Sequence, residues 1–471
     1  MSDRPRTRQE LYERIRTMGR EAFILEEMIR YGFWPAEGII ADDPADEIRR
    51  QGELQQELER LRQENRRLYN EKALRREALK QRLAESRRKQ QESKERRERQ
   101  RLERAQAWQQ RQQQEIVYLG EEVSGGLSEH QSQIERLQSY GLPVYQTAAD
   151  LAAAMGISIG QLRFLAFNRK TNKVCHYIRF TIPKKTGGER LISAPMPRLK
   201  QAQSWIYQQI LAKIPLEAAA HGFRCDRSIL TNAHPHLGAD VIINLDLKDF
   251  FPSISYQRVK GLFRSFGYCE AVATILGLIC TEANLTPVEL DGVTYYVATT
   301  ERFLPQGSPA SPAISNLICR RLDRRLTQMA QDLGFTYTRY ADDLTFSAHE
   351  PYLQGICNIL RRTEGIVAHE GLTINDQKTR ILRKKSSQLD VTGIVVNGDR
   401  PSLDRKTLKR FRATLHQIEQ NGPTGQHWGH TENVMSAIAG YANYVASVLP
   451  EKGAKFQEQV RRIQQKWQRL P

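Results

Sequence analysis

The stretches VIINLDLKDFFPSI (residues 241–254) and YADDLTFS (residues 340–347) decide the fold and the chemistry of this chain. In both, carboxylates adjoin an apolar run with strand character: Asp246 ends one, and Asp342 and Asp343 precede the other. A charged carboxylate beside a buried strand is costly without a cation, and two adjacent carboxylates repel each other. A single Asp-Asp pair is more often a solvated turn, but two acidic clusters that both adjoin strands favour a cation-binding site.

A pair of divalent ions would supply the missing positive charge. Two ions about 3.5–4 Å apart can activate an attacking hydroxyl and stabilise the leaving oxygen of a phosphoryl transfer. Mg²⁺ suits such a site because it prefers oxygen ligands and keeps positions open for substrate phosphates, and Mn²⁺ is a possible substitute. We therefore predict that Asp246, Asp342 and Asp343 bind two Mg²⁺ ions.

These residues lie in motifs that resemble those of reverse transcriptases. Tyr340-Ala341-Asp342-Asp343 is similar to the Y-x-D-D signature, and DLKDFF (246–251) to the first catalytic motif. Three further segments resemble the fingers hairpin, the P-Q-G loop with its helix, and the next palm motif: IPKKTGGERLISAP (182–195), LPQGSPASPAISN (304–316) and INDQKT (374–379). The five motifs follow the family's order, and the resemblance extends from about residue 140 to the C-terminus.

The resemblance implies a role for each matching residue. Asp246, Asp342 and Asp343 would be metal ligands, Asp343 the least directly. Phe251 would contact the sugar and exclude a 2′-OH, with a packed core aromatic as the alternative. Lys378 would donate a proton to the leaving pyrophosphate, unless it is only a surface lysine. The residues implied in nucleotide binding are Lys184, Lys185, Arg190, Asp249, Phe251, Gln306 and Gly307, of which the two lysines and Arg190 could instead be part of a basic hairpin turn.

Two further segments narrow the resemblance to retron reverse transcriptases. NAHPH (232–236) is similar to their N-A-x-x-H motif, and Val391-Thr392-Gly393 to their V-T-G motif. Retron enzymes bind a structured noncoding RNA, start DNA synthesis from its 2′-OH with dNTPs, and make a branched RNA–DNA product, commonly with an effector protein in antiviral defence. The resemblance therefore implies RNA contacts at Asn232, His236, Val391, Thr392, Gly393, Lys406, Lys409, Arg410 and Arg412, although the last four could be only a solvated face.

Two other functions stay open at this point. One is an RNA-binding scaffold that keeps a polymerase fold without needing catalysis, against which the intact aspartates argue. The other is a reverse transcriptase of the group II intron or diversity-generating type. No zinc-ligand or nuclease-like cluster follows the thumb in the sequence, unlike in many group II intron enzymes.

The composition favours a nucleic-acid partner. The formal net charge is +17 over 471 residues, which is typical of proteins that bind polyanions. Six cysteines show neither C-x-x-C pairs nor zinc-ligand spacing, as expected of free thiols in a reducing compartment. The charged start MSDRPRTRQE lacks a signal-peptide core, and no run approaches the roughly 18 apolar residues of a membrane helix. The sequence therefore predicts a cytoplasmic protein with no membrane partner.

The predicted fold class is α+β. The resemblance implies a right-hand polymerase with fingers, a palm with an antiparallel sheet and a helical thumb, preceded by a long α-helical or coiled-coil extension. The predicted regions are an N-terminal helical cap (1–45), the basic helical extension (46–118), a hinge (119–139), fingers (140–240), palm (241–400) and thumb (401–471).

The extension is the part that the polymerase motifs leave unexplained. Leu54, Leu58 and Leu61 begin an a/d series typical of a coiled coil, but the series becomes charged at Lys72 and Arg75. The basic and acidic run that follows, residues 86–114, is typical of a solvated helix or a tether. The functional alternatives are a track for RNA phosphates and an arm for self-association or partner binding. We favour the arm, which would form a homo-oligomer or contact a partner.

Overall fold

The computed structural model describes residues 71–183, 187–429, 431 and 433–467, and nearer the N-terminus residues 7–9, 11–12, 24, 27–28, 30–33 and 61. The chain divides into two compact units, Met1–Ala105 and Gln106–Pro471. Much of the predicted cap, and Leu54 and Leu58 of the predicted heptad series, fall outside the described residues, so the coiled coil stays a prediction. Within the described residues, no helix is both long enough and apolar enough to cross a membrane.

A single helix, α1 (Glu71–Gln114), forms the described part of the extension and runs for 44 residues. Its sequence is rich in Arg, Lys, Glu and Gln, which are good helix formers, and it contains neither Gly nor Pro. Leu74, Leu79 and Leu83 on this helix are each more than half exposed. The prediction of a helical extension ahead of the polymerase is therefore confirmed.

The second unit contains short helices and strands in an α+β arrangement. After α1, the helices in chain order are α2 (Ile134–Ser139), α3 (Ala148–Met155), α4 (Ile159–Ala166), α5 (Pro197–Gln209), α6 (Ile229–Ala233), α7 (Tyr256–Phe266), α8 (Glu270–Cys280), α9 (Ser311–Ile318), α10 (Arg320–Asp332), α11 (Ile356–His369), α12 (Arg405–Asn421), α13 (Val434–Val448) and α14 (Pro450–Trp467). The strands are β1 (Thr171–Asn172), β2 (Tyr177–Pro183), β3 (Glu189–Pro195), β4 (Val241–Asp246), β5 (Leu285–Leu290), β6 (Val293–Ala298), β7 (Thr336–Tyr340), β8 (Asp343–Ala348), β9 (Arg380–Arg383), β10 (Asp390–Val391) and β11 (Ile394–Val395).

Four antiparallel strands form the palm sheet, in the order β7-β8-β4-β9. Three smaller sheets accompany it: the hairpin β2-β3, the hairpin β10-β11 and the sheet β1-β6-β5. The predicted α+β fold with an antiparallel palm sheet and a helical C-terminal part is confirmed.

Alternation along β4 gives the palm sheet two different faces. Val241, Ile243 and Leu245 belong to one hydrophobic core, together with side chains of α10 and α11. Ile242, one residue out of phase, belongs to a second core that includes the C-terminal helices. Because successive strand residues point to opposite faces, Asp246 lies on the face of Ile242 and not on that of Leu245.

A third core joins helices that precede the palm sheet in the sequence to helices that follow β4. It is built largely from α3, α4, α5, α7 and α8, with α8 buried along its whole length. Leu119, Val123, Leu127 and Leu137 from the predicted hinge pack into this core. The Gly and Ser content of that segment did not predict this burial.

Candidate active site

Strand pairing brings two of the predicted carboxylates face to face. In the register of β4 and β8, Asp246 lies directly opposite Asp343. The next pair on this face is polar: Thr345 donates a hydrogen bond to Asn244 at 3.2 Å. Paired residues in adjacent antiparallel strands have Cβ atoms about 5 Å apart, so the two carboxylates occupy one end of the same sheet face.

Asp342 lies in the tight turn between β7 and β8. Ala341, which precedes it, has a φ of 59°, a left-handed conformation that a non-glycine residue adopts only at a cost. The Asp342 carbonyl accepts a hydrogen bond of 2.9 Å from the Leu247 amide, which fixes the turn against the end of β4. The structure thus brings all three predicted aspartates to one edge of the palm.

A buried ion pair supports this turn from below. Arg339 and Asp323 lie 2.6 Å apart, and their side chains are 0% and 1% exposed. Arg339 also donates to the Ala341 carbonyl at 3.0 Å and to the Asn316 side chain at 2.9 Å. Asn316 in turn donates to the Gly222 carbonyl at 2.8 Å. This network holds the backbone of the Y-x-D-D turn in place.

Gly222 completes that support because no other residue would fit there. A Cβ atom at this position would lie 2.5 Å from the Ala341 nitrogen, closer than real Cβ contacts allow. The segment that contains Gly222 runs beside β7, with the His221 amide donating to the Arg339 carbonyl at 2.8 Å. Arg339, Asp323 and Gly222 were not predicted from the sequence, and the one available signal was an arginine inside the strand-forming segment TYTRY (residues 336–340).

Lys378 contacts the first carboxylate directly. Its Nζ donates to the two oxygens of Asp246 at 2.9 and 3.1 Å, and the Asn375 side chain approaches the same carboxylate at 3.4 Å. The Asn375 amide also donates to the Asp246 carbonyl at 2.8 Å. The INDQKT segment therefore lies against Asp246, and Lys378 supplies a positive charge at the site.

Crowding of negative charge changes the titration of the other two aspartates. Partial burial raises the pKa of the Asp342 carboxyl, Asp246 raises it further, and Lys378 and Arg190 oppose the rise. Partial desolvation, followed by repulsion from Asp342 and Asp246, raises the pKa of Asp343 to about 6. A site that disfavours its own negative charge in this way suits a bound cation.

The donor set fits a hard divalent metal, because it offers only carboxylate oxygens. Across the described ranges, however, no group of three or more His, Cys, Asp or Glu side chains stands at the spacing of a preformed metal cage. The positive charge that contacts Asp246 in this structure is Lys378. Asp246, Asp342 and Asp343 are therefore the residues that would hold a metal, at positions this structure does not define.

The fingers hairpin and the P-Q-G loop meet beside these carboxylates. The Ser193 amide on β3 donates to the Gln306 carbonyl at 2.8 Å. Gly307 has a φ of 125°, and a Cβ atom there would lie 2.7 Å from the Ser193 carbonyl oxygen. Glycine is therefore required at position 307 because the backbone there passes close to the backbone of β3. Arg190, exposed on the same strand, opposes the rise in the pKa of Asp342 that burial and Asp246 cause. The predicted partners Lys184 and Lys185 lie outside the described residues.

The first catalytic motif places one aromatic and one acidic residue near the turn. Phe251 is partly buried and packs against Phe250 and Phe223, with ring centroids 5.4 and 6.1 Å away. Asp249 is exposed and has a φ of 46°. Both the sugar-contacting and the core-packing interpretations of Phe251 are compatible with this half-buried position.

The N-A-x-x-H residues are buried, so they cannot contact RNA directly in this conformation. Asn232 is 0% and His236 1% exposed. The two ring nitrogens of His236 lie 2.7 Å from Ser347 Oγ and 2.8 Å from Thr338 Oγ1, so the histidine joins the back of the palm sheet. Burial lowers the pKa of His236 to about 3, which keeps the ring neutral. The direct RNA contact predicted for these two side chains therefore does not fit this structure, in which both are buried.

Asn232 reaches the V-T-G segment, which forms the turn of the β10-β11 hairpin. Its Nδ2 lies 3.5 Å from Thr392 Oγ1, at the long limit of a hydrogen bond. Val391 pairs with Ile394, which leaves Thr392 and Gly393 as a two-residue turn with φ values of 47° and 83°. Positive φ at both positions is the requirement of a type I′ hairpin, which explains the glycine. Val391 is fully buried, whereas Thr392 is partly exposed and Gly393 exposed.

The C-terminal helices carry the predicted basic residues and contact this turn. Tyr444 on α13 donates to the Gly393 carbonyl at 3.4 Å. Arg410 stacks over Trp428 and Arg412 over Phe456, at 5.0 and 5.9 Å from the ring centroids. A groove of about 630 Å³ between α12 and α14 is lined by Lys409, Arg412, His416, Lys452, Lys455 and Phe456. Lys452 and Lys455 were missed in the sequence because they lie about 40 residues beyond the other cations.

Comparisons with known proteins agree with this geometry. Residues 182–396 match the family of reverse transcriptases (RNA-dependent DNA polymerases). The chain is 41% identical over 343 residues to the retron Mx162 reverse transcriptase of Myxococcus xanthus, covering 70% of each protein. It is 41% identical to the retron Mx65 reverse transcriptase of the same organism, over 68% of this chain and 73% of that protein. It is 33% identical to the retron Ec86 reverse transcriptase of Escherichia coli, over 71% of this chain and 95% of that protein.

Proposed function

This chain belongs to the retron reverse transcriptases, and we propose that it copies part of a structured noncoding RNA into DNA, starting from a 2′-OH of that RNA. Membership of the family makes the chain an RNA-directed DNA polymerase that uses an RNA template, nucleotides and a divalent metal. The product of the proposed reaction is a branched RNA–DNA hybrid. The reaction would attach the first nucleotide to an internal ribose, with pyrophosphate leaving.

The residues described above would divide the work of nucleotide addition. Two Mg²⁺ ions, or Mn²⁺ in their place, held by Asp246, Asp342 and Asp343, would activate the attacking hydroxyl and neutralise the triphosphate. Arg190 would bind the triphosphate by charge-assisted hydrogen bonds, and Lys184 and Lys185, which lie outside the described residues, would contribute as the resemblance implies. Lys378, whose Nζ donates to Asp246 at 2.9 Å, would protonate the leaving pyrophosphate.

The remaining nucleotide contacts would select the substrate. Phe251 would stand against the sugar and exclude a 2′-OH. Asp249, Gln306 and Gly307 would complete the pocket for the incoming dNTP. The hydrogen bond from the Ser193 amide to the Gln306 carbonyl joins this part of the pocket to the fingers hairpin.

One observation carries the retron-specific part of the proposal. Asn232 of the N-A-x-x-H motif reaches Thr392 of the V-T-G motif, so the two features that are specific to retron enzymes meet at one turn. Thr392 and Gly393 present that turn outward, and Tyr444 joins it to the thumb. We infer that this turn, together with Lys406, Lys409, Arg410 and Arg412, binds the structured RNA.

The direct test is DNA synthesis on the RNA that copurifies with the protein. The protein, expressed with its neighbouring noncoding RNA, is given labelled dNTPs and Mg²⁺ after removal of metals with a chelator. We expect labelled DNA attached to RNA, no product without Mg²⁺ or Mn²⁺, and loss of at least about a thousandfold in Asp246→Asn. Product formation by Asp246→Asn, or by the Asp342→Ala, Asp343→Ala double variant, at the normal rate would overturn the assignment.

The biological setting we propose is antiviral defence with an effector protein. A phage-protection assay distinguishes this role from that of a catalytically dispensable scaffold. The double aspartate variant should fail to protect cells, whereas a scaffold would protect them without its carboxylates. A homo-oligomer through the extension is a further part of the proposal, which mass measurement with and without residues 1–115 would check.

A further inference from the structure

The long helix α1 separates its charges onto two sides. It contains fifteen Lys and Arg residues and seven Glu residues. With a rotation of about 100° per residue, one half of the helix circumference carries twelve of the fifteen cations and one of the seven Glu residues. A helix that is only solvated is stabilised by Glu–Arg pairs one turn apart, which mix the two signs around the circumference. Separation of the signs is therefore an observation that solvation does not explain.

The centre of the basic side is a regular series. Five cations lie seven or eight residues apart and share an arc of about 80° of the helix circumference: Arg75, Arg82, Lys89, Arg97 and Arg104. We call these five residues the basic stripe. It extends for about 44 Å, at 1.5 Å per residue. Arg82, Lys89, Arg97 and Arg104 are all solvent-exposed.

The spacing of the stripe suits an extended polyanion. Successive members are about 10.5 Å apart along the axis, more than the screening length of about 8 Å at physiological salt, so their mutual repulsion is small. Off the stripe, Arg88 lies on the acidic side and pairs with Glu92 at 3.4 Å. A continuous row of cations with this reach is complementary to a repeating row of phosphates.

The composition of the helix favours a double helix over a single strand. Proteins that bind single strands without sequence preference stack bases on aromatic side chains. The stripe itself, residues 75–104, contains no Phe, Tyr, Trp or His, and the one aromatic residue of α1, the exposed Trp108, lies beyond it. A helix face that offers only cations over this length can contact the phosphates of a duplex without reading or stacking its bases.

We propose that the basic stripe is a second nucleic-acid site, which binds the phosphate backbone of a double-helical segment. The polymerase motifs lie in the unit Gln106–Pro471, whereas the stripe lies in Met1–Ala105. The duplex could be an RNA stem or a DNA stem, because both present the same phosphates. The site would increase the affinity of the protein for the nucleic acid and would take no part in nucleotide addition.

Two triple variants of the full-length protein test this proposal at equal net charge. The stripe variant is Arg82→Gln, Lys89→Gln, Arg97→Gln. The control variant is Lys80→Gln, Arg88→Gln, Arg99→Gln, which removes the same residue types from the other side of the helix. Glutamine is a good helix former, and far-ultraviolet circular dichroism checks that helix content is equal in both. Binding to a 20-base-pair RNA hairpin, a matching DNA hairpin and a 20-nucleotide oligouridine is measured by fluorescence anisotropy between about 50 and 300 mM salt.

The slope of log K against log salt concentration measures how many phosphates the protein contacts, at about 0.7–0.9 per contact. For the stripe variant this slope should be less steep by about two on at least one hairpin. The control variant should lose less than about half a unit. Comparing the two hairpins identifies the duplex. Equal losses in both variants, no loss in either, or a loss confined to oligouridine would overturn the proposal. Polymerase activity does not enter this readout, so a failure of the proposed function would leave the result unchanged.

Discussion

Two tight turns in this protein have the same backbone feature but different supports. In the Y-x-D-D turn, Ala341 has a φ of 59°, and in the V-T-G turn, Thr392 has a φ of 47°. The first rests on the buried ion pair Arg339–Asp323, which is joined to the Ala341 carbonyl. The second has two long hydrogen bonds between neutral groups. They join Asn232 Nδ2 to Thr392 Oγ1 at 3.5 Å and the Tyr444 hydroxyl to the Gly393 carbonyl at 3.4 Å.

The difference teaches that the protein fixes its reacting edge firmly and its proposed RNA-reading turn loosely. Hydrogen bonds to charged groups contribute about 1.5–3 kcal/mol, whereas neutral bonds near the distance limit contribute about 1 kcal/mol or less. Metal ligands have to be held to within fractions of an ångström. A turn that binds a structured RNA gains from being able to adjust. Both turns keep a left-handed residue that costs free energy, and such strained residues are typical of functional sites.

The largest expected effect is on the support of the catalytic turn. Asp323→Asn leaves the Arg339 guanidinium buried without its counter-charge, which should lower the free energy of unfolding by about 3–5 kcal/mol. Urea denaturation measures this change. Asp226→Asn removes the exposed partner of Arg224 and should leave the urea midpoint nearly unchanged, because surface pairs are screened by water. Equal midpoints for the two variants would show that the buried pair does not brace the turn.

The second prediction concerns how stability depends on pH through His236, the residue of the N-A-x-x-H motif that contacts the palm sheet. The folded-state pKa of His236, about 3, is below the usual value of 6.5. Below pH 6.5 the unfolded chain therefore takes up a proton that the folded chain excludes, and the stability contributed by the neutral ring is lost as pH falls toward 3. Between pH 6.5 and pH 5 this loss is about 2 kcal/mol.

Urea denaturation at pH 7 and pH 5 checks this prediction. His236→Gln should lower stability at pH 7 and remove much of the decline toward pH 5. Part of the decline should remain, because burial also lowers the pKa of His221, to about 4. His349→Gln is the matched control, since that imidazole is largely exposed. An unchanged pH dependence in His236→Gln would contradict the buried neutral ring.

The smallest expected effect on stability is at the V-T-G turn. Thr392→Gly relieves a left-handed residue, which should gain about 1 kcal/mol, and loses a contact worth about as much or less. The free energy of unfolding should therefore change by less than about 1 kcal/mol. Extension of an annealed DNA primer on a plain RNA template should continue at the normal rate, while synthesis on the copurified RNA should fall about tenfold or more. A parallel loss in both assays would mean that the turn supports catalysis and does not recognise RNA.

The sequence was most informative where chemistry and chain position coincide. Asp246, Asp342 and Asp343 could be predicted because each adjoins a strand in which a carboxylate is costly. The Arg339–Asp323 pair could not, because it joins a strand and a helix whose contact depends on the packed palm. The burial of Asn232 and His236 was missed for a related reason: polar residues in a motif resemble a surface site until their partners, Ser347, Thr338 and Thr392, are seen.

The central claim is that the three palm carboxylates extend DNA from a 2′-OH of the protein's own RNA. The measurement that tests it most directly is the linkage in the nucleic acid that copurifies with the full-length protein. We predict DNA joined covalently to RNA, released by a 2′,5′-phosphodiesterase and absent from Asp246→Asn preparations. DNA with a free 5′ end, or the same linked product from Asp246→Asn, would contradict the account.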